Sequence, residues 1–377
     1  MYYESFGNEK LSALGLGCMR LPTIDNDNAR IDEAATAEMV DYALKNGINY
    51  FDTAWGYHAE NSELVVGKLL AAYPRDSYAI ASKFPGYHLD FFSKKKEIFE
   101  RQLEKCRVDY FDYYLFHNVY EKNADWYLDR SLGLYDYLVE EKKRGRIRHL
   151  GFSTHGNLDT IRRFLDAYRE HLEFCQIQLN WFDWQFQNAK EAVAMIRDEY
   201  HLPIWVMEPL RGGNLASLSP YYRERLLAVA PDRTPAEWAF SYLQSIPGVT
   251  MILSGMSDLT QVKQNIKTFE KKNPLNKEEV DLLHAIAAEM IAQNTVPCTS
   301  CRYCVAECPQ GLDIPHLLYL YNEHNYVGRD KLPSFVLAPF SDDKRPSACL
   351  GCQSCESVCP QSIKISTILS DFAAKGE

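Results

Sequence analysis

Two runs of four cysteines near the C-terminal end have the spacing that most directly indicates a chemistry for this chain. In each run three cysteines are separated by two residues, and a fourth follows after three more residues, with a proline directly behind it. The runs are Cys298, Cys301, Cys304 and Cys308, and then Cys349, Cys352, Cys355 and Cys359. Three closely spaced thiolates can bind one iron-sulfur cluster, while a fourth that precedes proline reaches another. The sequence therefore predicts two 4Fe-4S clusters.

The fourth cysteine of each run is expected to bind the cluster of the other run. The ligand sets predicted in this way are Cys298, Cys301, Cys304 and Cys359 for one cluster, and Cys349, Cys352, Cys355 and Cys308 for the other. The similarity of the runs extends beyond sulfur, because each Cys-Pro-Gln is followed by an apolar residue and then by isoleucine two positions on. A duplicated unit explains this pattern.

Structural zinc sites and a disulfide framework are the other interpretations of these cysteines. Zinc ribbons usually pair two short motifs that lie far apart, whereas here four cysteines run together and end in proline, as in bacterial ferredoxins. The chain begins Met1-Tyr2-Tyr3-Glu4, without the basic and apolar segments of a secretory signal. Disulfides are therefore the weaker alternative, and the three remaining cysteines are expected to be unpaired.

Size and charge narrow the classes of function. The chain has 377 residues, with 41 Lys and Arg against 51 Asp and Glu, so its net charge is -10. This balance provides no basic surface for nucleic acid. No stretch approaches the ~20 consecutive apolar residues that a membrane-spanning helix needs. We therefore expect a cytoplasmic protein with neither a nucleic-acid partner nor a membrane partner.

Short β-rich segments alternate with helical patterns between about residue 12 and about residue 270. The predicted strands are 13–18, 48–53, 78–83, 110–117, 147–154, 174–180, 203–209 and 249–255. Eight strand-then-helix repeats favour a (β/α)8 TIM barrel over an open doubly wound sheet. In such barrels the chemistry takes place where the strands end. Asp52 and Tyr57, Lys83, and His117 lie at or just after the ends of the second, third and fourth predicted strands.

With these residues in view, the chain resembles the aldo-keto reductase family over roughly residues 1 to 275. The matching motifs are Asn49-Tyr50-Phe51-Asp52-Thr53-Ala54, Gly56-Tyr57, Ser62-Glu63, Ser82-Lys83 and Leu115-Phe116-His117. The resemblance implies that Asp52, Tyr57, Lys83 and His117 are the catalytic tetrad. The implied activity is the interconversion of a carbonyl and an alcohol, on a small-molecule substrate.

The residue types fit that chemistry. Reduction of a carbonyl needs a proton for the oxygen, and a free tyrosine with a pKa near ~10 gives up its proton reluctantly near neutrality. We expect Lys83 to lower the pKa of Tyr57, and Asp52 to hold Lys83 charged and oriented. His117 would aim the substrate oxygen or relay a proton. Tyr57 would then be the general acid in reduction and the general base in oxidation.

The resemblance also implies a nicotinamide cofactor, NADH or NADPH. Ser153 and Gln176 match positions that hold the nicotinamide carboxamide, and Thr154 stands where the family has asparagine. The loop with Pro209, Leu210 and Gly212 would wrap the pyrophosphate, and Gly255 with the next helix could bind phosphate through backbone amides.

Two departures from the family pattern leave open whether the cofactor is NADH or NADPH. Met207 replaces the usual aromatic residue, and segment 254–258 lacks the basic residues that relatives use for the 2'-phosphate. Lys263 is the first cation after the eighth strand.

We predict a barrel domain at 1–293 and a small, mainly helical ferredoxin-like domain at 294–377. The latter resembles ferredoxin modules fused to oxidoreductases, so the first hypothesis is a barrel enzyme with an electron relay. A hydride carries two electrons, whereas each cluster normally carries one. The alternatives are a reductase driven by a ferredoxin-type partner or by flavin, without nicotinamide, and an electron-transfer protein with an inactive barrel.

Overall fold

The structure, a computed structural model, describes residues 1–294, 296, 298, 303–327, 334–359 and 361–376. The chain divides into two compact units. The first consists of Met1–Ala216 and Ala230–Asp281, and the second of Ser217–Val229 and Leu282–Glu377. The domain boundary predicted near residue 294 stays a prediction.

The first unit is a closed barrel of eight parallel strands, as the sequence predicts. The chain has ten described strands, of which β3 to β10 form the barrel in the order β10-β3-β4-β5-β6-β7-β8-β9. They are β1 Tyr3–Phe6, β2 Glu9–Ser12, β3 Leu14–Gly17, β4 Tyr50–Asp52, β5 Ala79–Phe84, β6 Phe111–Val119, β7 Ile147–Thr154, β8 Cys175–Gln178, β9 Ile204–Met207 and β10 Val249–Gly255. Every barrel strand overlaps a predicted one.

The antiparallel hairpin of β1 and β2 is an element that the prediction missed. Phe6 and Leu11 of this hairpin belong to the same buried cluster as Tyr113, Trp205 and Met251 from the barrel strands. The turn between the strands contains Gly7, whose φ of 57° suits a glycine. Gly-Asn between two β-rich runs is a hairpin signal that could have revealed it.

Helices follow the barrel strands, and several begin at capping residues. The side chains of Asp32, Asn157 and Asp258 each accept a hydrogen bond from a backbone amide in the first helical turn. The helices of the first unit are α1 Glu33–Lys45, α2 Ser62–Leu70, α3 Leu89–Ser93, α4 Lys95–Cys106, α5 Ala124–Leu128, α6 Leu134–Lys143, α7 Leu158–Tyr168, α8 Asp183–Phe186, α9 Ala189–Ala194, α11 Pro235–Gln244 and α12 Leu259–Thr268.

The regular secondary structure of the second unit is helical over its described residues, and turns and loops connect the helices. Its helices are α10 Pro220–Val229, α13 Lys277–Asn294 (which begins in the first unit), α14 Tyr303–Ala306, α15 Ile314–Val327, α16 Ser334–Leu337, α17 Ser354–Ser357 and α18 Ile365–Gly376. Each cysteine run contains a short helix and is followed by a longer one, so α14 and α15 correspond to α17 and α18. Ile314 and Ile365, the matched isoleucines of the repeat, lie in one buried cluster. The duplication seen in the sequence is thus also present in the fold.

Across the described ranges, none of the helices combines the length and the apolarity that a membrane span requires.

Candidate active site

A buried ion pair lies where strands β4 and β5 end. Lys83 Nζ donates to Asp52 Oδ1 at 2.6 Å and to the carbonyl oxygen of Thr53 at 2.7 Å. The hydroxyl of Tyr57 lies 3.4 Å from the same nitrogen. Lys83 is fully buried and Asp52 is 3% exposed. The carboxylate, the ammonium and the phenol thus form a continuous chain, which ends at the only one of the three residues that is partly exposed to solvent.

The segment after Tyr57 has an unusual backbone. His58, Ala59 and Glu60 have φ values of 52°, 51° and 71°, a region that non-glycine residues rarely adopt. His58 stabilises this turn, because its Nε2 accepts a hydrogen bond from the amide of Leu21 at 3.1 Å. Such strain is common at functional sites. It fixes the direction in which the chain leaves Tyr57.

The electrostatics of Tyr57 differ from the sequence prediction. Burial raises the pKa of Tyr57 well above its ordinary value, and the Asp52 carboxylate raises it further. The predicted lowering by Lys83 is therefore wrong for this structure. The physical reason is first the burial of the phenol, which disfavours the charged phenolate, and then the Asp52 carboxylate, which repels it and is itself paired with the ammonium. Burial also raises the pKa of Asp52, against the opposing effect of Lys83.

His117 faces Tyr57 from strand β6. The two rings lie edge to face, with centroids 5.9 Å apart. The imidazole is hydrogen-bonded to the hydroxyl of Tyr87 through Nδ1. Burial lowers the pKa of His117 well below its ordinary value, and the charge of Lys83 lowers it further. The imidazole is therefore neutral near pH 7, and the structure brings all four residues of the predicted tetrad together.

The three residues predicted to hold the carboxamide lie side by side on β7 and β8, where Ser153 pairs with Gln176. Ser153 Oγ accepts from the amide of Asn118 at 2.8 Å, which leaves its own proton to donate. Gln176 Oε1 is buried, without a hydrogen-bond partner among the described residues. Thr154 Oγ1 donates to Val119 O and accepts from Gly156 N, so its hydroxyl is already engaged. Ser153 and Gln176 fit a carboxamide better than Thr154 does.

The predicted pyrophosphate loop, with Pro209, Leu210 and Gly212, follows β9. Arg211 anchors it, since Nε donates to the two carboxylate oxygens of Asp183 at 3.0 and 3.2 Å. Both side chains are buried. Arg211 and Gly212 have φ values of 49° and 67°, a left-handed conformation that glycine adopts without steric cost.

Arg20 lies between this loop and the end of β10. A methyl group built on Gly255 would lie 3.3–3.5 Å from Cβ, Cγ and Cδ of Arg20, and one on Gly212 would lie 3.4 Å from a guanidinium nitrogen. Ser257 Oγ donates to the carbonyl of Arg20 at 3.0 Å. Arg20 is exposed and takes part in none of the ion pairs found among the described residues. It is a cation beside both glycines that were predicted to contact phosphate.

The other candidates for a phosphate contact near β10 are already engaged. At the start of α12, Asp258 accepts from the amide of Gln261 and the side chain of Gln261 accepts from the amide of Ser257. The ammonium of Lys263 lies over the ring of Tyr42, 5.3 Å from its centroid. These contacts make Arg20 the more suitable cation, although the sequence interpretation overlooked it.

Four cysteines of the second unit line one cavity: Cys308, Cys349, Cys352 and Cys355. Cys304 and Cys355 are buried in the surrounding apolar cluster, against which Cys298 and Cys359 pack. Cys301 lies outside the described residues. None of the ten cysteines that the structure describes forms a disulfide. Hydrogen bonds from the amide and the hydroxyl of Ser354 lower the pKa of Cys352, which favours the thiolate that binds metal.

Comparisons with known proteins identify the families that match the two parts of the chain. The aldo/keto reductase family model matches residues 13–288, and the model of a 4Fe-4S dicluster domain matches residues 297–363. A probable aldo-keto reductase 1 from Glycine max is 32% identical over 197 residues, which cover 50% of this chain and 53% of that protein. The uncharacterized oxidoreductase YqkF of Bacillus subtilis (strain 168) is 25% identical over 306 residues, 73% of this chain and 92% of that protein. The chain thus spans about half the length of the first relative and most of the second.

Solved structures give the same result. The holo form of aldo-keto reductase AKR11C1 from Bacillus halodurans is 26% identical, with a TM-score of 0.62 over 76% of this chain and 96% of that chain. An aldo/keto reductase from Klebsiella pneumoniae in complex with NADP and acetate is 19% identical, with a TM-score of 0.59 over the same shares, and shows the fold alone. The chain belongs to the aldo/keto reductase family of oxidoreductases and carries a 4Fe-4S dicluster domain at its C-terminal end.

Proposed function

We propose that the barrel interconverts a carbonyl and an alcohol, with Tyr57 as the general acid in reduction and the general base in oxidation. The observation that carries this proposal is the continuous chain from Asp52 through Lys83 to Tyr57 at the strand ends. A phenol beside a buried ammonium can lose its proton at a moment when charge develops on a nearby oxygen.

The residues of the site have separate tasks in reduction. Tyr57 donates its hydroxyl proton to the carbonyl oxygen, and Lys83 stabilises the phenolate that remains. The neutral His117 donates a hydrogen bond to the same oxygen, which orients the substrate. The phenolate regains its proton from water, so the site returns to its starting state. In oxidation the phenolate accepts the proton of the alcohol.

Several residues fit a nicotinamide dinucleotide, which when bound supplies or accepts the hydride at the substrate carbon. The buried Gln176 Oε1 lacks a partner among the described residues and would accept from the carboxamide, while Ser153 would donate to it. The guanidinium of Arg20 beside Gly212 and Gly255 would bind phosphate. Pro209 and Leu210 belong to the loop that would wrap the pyrophosphate.

The pH dependence of the two directions tests this proposal. Because burial raises the pKa of Tyr57, its protonated form persists at neutral and alkaline pH. Carbonyl reduction with NADH or NADPH should therefore change little between about pH 6 and pH 9, whereas alcohol oxidation, which needs the phenolate, should rise by up to about tenfold per pH unit. Initial rates with a panel of aldehydes, ketones and alcohols give both profiles. Reduction that declines through pH 8, or oxidation independent of pH, would contradict the assigned role.

We also propose that the cysteines of the C-terminal domain bind two 4Fe-4S clusters that exchange electrons with the barrel reaction or with a ferredoxin-type partner. The cavity lined by Cys308 together with three cysteines of the second run supports a ligand set that crosses between the runs. Each cluster, when bound, transfers single electrons. Four thiolates around one cavity would hold one such cluster.

Iron analysis tests whether the chain binds two four-iron clusters. Anaerobically purified wild-type protein should contain about eight iron atoms per chain, and Cys355→Ser should contain about four, because one of two four-iron clusters is lost. Cys175→Ala, which removes a buried barrel cysteine outside both runs, is the control and should retain the full iron content. About two zinc ions per chain in place of iron, one for each set of four cysteines, would contradict the cluster assignment.

The same samples also test whether the clusters exchange electrons with the barrel reaction. Bleaching of the cluster absorbance by NADH or NADPH in the wild type, and its absence from Tyr57→Phe when an alcohol is the reductant, would support electron exchange with the barrel. A wild-type spectrum that neither nucleotide changes would exclude direct coupling and leave a ferredoxin-type donor as the partner to test.

A further inference from the structure

We propose that Tyr87 is a positioning residue that fixes the tautomer of His117, so that Nε2 carries the imidazole proton and Nδ1 does not. This inference rests on the proposed role of His117 as a hydrogen-bond donor to the substrate oxygen. A neutral imidazole has a single N–H, and the partner of one ring nitrogen decides which nitrogen bears it. The contact between the Tyr87 hydroxyl and His117 Nδ1 supplies that partner.

The direction of the hydrogen bond follows from the protonation of both groups. Burial raises the pKa of Tyr87, so the phenol keeps its proton near neutrality. His117 is neutral because burial lowers its pKa. The phenol therefore donates to Nδ1, and the imidazole proton resides on Nε2. The hydroxyl is 3.3 Å from Nε2, which makes the contact with Nδ1 the stronger of the two.

The imidazole depends on this one contact. Within the described ranges, no other side chain forms a hydrogen bond with the ring of His117. The ring has edge-to-face neighbours in Tyr57 and Tyr87, with centroids 5.9 and 5.2 Å away, which restrict its position without selecting a tautomer. Without the Tyr87 hydroxyl, the two neutral tautomers would be selected only by solvent and substrate.

The scaffold around Tyr87 is built to hold it against strand β6. The Tyr127 hydroxyl accepts from the amide of Gly86 at 3.1 Å and lies 2.8 Å from the carbonyl oxygen of His117. The side chain of Asn123 donates to the carbonyl of Gly86 at 3.0 Å. Tyr127 thus connects the loop that carries Tyr87 with the backbone of His117. His117 is the residue that Tyr87 contacts.

The space at Gly86 shows how closely these parts fit. A methyl group built there would lie 2.0 Å from the Tyr127 hydroxyl, so any larger residue would push the loop away. The Tyr87–His117 contact is therefore part of a rigid arrangement of two strand ends. Such pre-organisation is what a donor for a developing charge requires.

The tautomer can be read directly by nitrogen NMR of protein labelled at histidine, with His117 assigned from a His117→Gln variant. The wild type should show one neutral tautomer with the proton on Nε2. Tyr87→Phe, which keeps the ring, should show a mixture, and its kcat for carbonyl reduction should fall about tenfold with little change in KM. Tyr87→Gln retains a hydrogen-bond donor at this position. It should therefore recover part of the population with the proton on Nε2 and part of kcat.

The chain offers a matched control in Tyr135, whose hydroxyl lies 2.6 Å from His171 Nδ1. Tyr135→Phe removes the same kind of bond at a residue with no contact to the tetrad, and it should leave both kcat and the His117 signals unchanged. An unaltered His117 tautomer in Tyr87→Phe, or an equal loss of kcat in both variants, would overturn the proposal. The spectra need no turnover, so they remain decisive even if Tyr57 proves not to be the acid.

Discussion

Replacing Tyr57 with phenylalanine should lower kcat/KM for carbonyl reduction by about three orders of magnitude, within the 10²- to 10⁴-fold range of general acid catalysis. The variant lacks the hydroxyl proton at the end of the chain that runs from Asp52 through Lys83. Its ring can keep the position beside Lys83 and His117, so the fold and the substrate pocket should be preserved. Initial-rate kinetics with the best carbonyl substrate of the wild type measure the loss.

The step that the substitution impairs is as informative as the size of the loss. Nucleotide affinity, measured by calorimetry, should be unchanged in Tyr57→Phe, because the hydroxyl acts in the chemical step. Tyr73→Phe is the matched control, since the Tyr73 hydroxyl donates to Asp41 on the outer helices at 2.9 Å. A Tyr57→Phe enzyme that keeps a third or more of wild-type activity would rule out the phenol as the general acid.

Replacing Lys83 with methionine should remove both activity and stability. Asp52 would remain buried, without its partner and with its second oxygen unpaired among the described residues. Removing one member of a buried ion pair typically costs about 3–5 kcal/mol in the free energy of unfolding. We expect a loss of that order in urea unfolding, together with a fall of at least about 100-fold in kcat/KM.

A double variant separates the loss of stability from the loss of activity. Asp52→Asn combined with Lys83→Met removes the unpaired charge and should recover much of the stability while remaining inactive. In the single Lys83→Met variant, burial raises the pKa of Asp52 without an opposing ammonium. Its protonated form is then favoured in the folded state, so the variant should be more stable at pH 5 than at pH 8.

Lys105→Met is the control that measures the effect of breaking a buried ion pair outside the tetrad. Lys105 pairs with Glu63 at 3.1 Å, and both side chains are almost fully buried. This variant should lose stability to a similar extent while kcat changes by no more than a few-fold. If Lys105→Met were as inactive as Lys83→Met, the loss would reflect a damaged barrel and not the absence of a catalytic cation.

Sequence patterns were sufficient for the barrel because its buried strands are short apolar runs separated by amphipathic helices. The candidate tetrad came from the resemblance to the aldo-keto reductases, and the structure places Asp52, Tyr57, Lys83 and His117 at or just after successive strand ends. The direction of the pKa shift of Tyr57 could not be predicted from the sequence. It depends on how deeply the hydroxyl is buried and on the Asp52 carboxylate.

The residues that were missed act across large separations in the chain. Arg20 meets Gly255 because β3 pairs with β10, and no local pattern reports that contact. Tyr87 reaches His117 through the conformation of a loop that Tyr127 fixes. Thr154, by contrast, was predicted as a cofactor contact, but only the fold reveals that its hydroxyl is already hydrogen-bonded to Val119 and Gly156.

The pairing of β3 with β10 also sets an order of assembly during synthesis. Arg20 leaves the ribosome early, whereas Gly212 and Gly255 follow some two hundred residues later. A nascent chain that ends before β10 can contain the whole tetrad, but it cannot join its first and last barrel strands. Because contacts between distant parts of a chain form slowly, nucleotide retention by arrested nascent chains should appear only after the last strand has emerged.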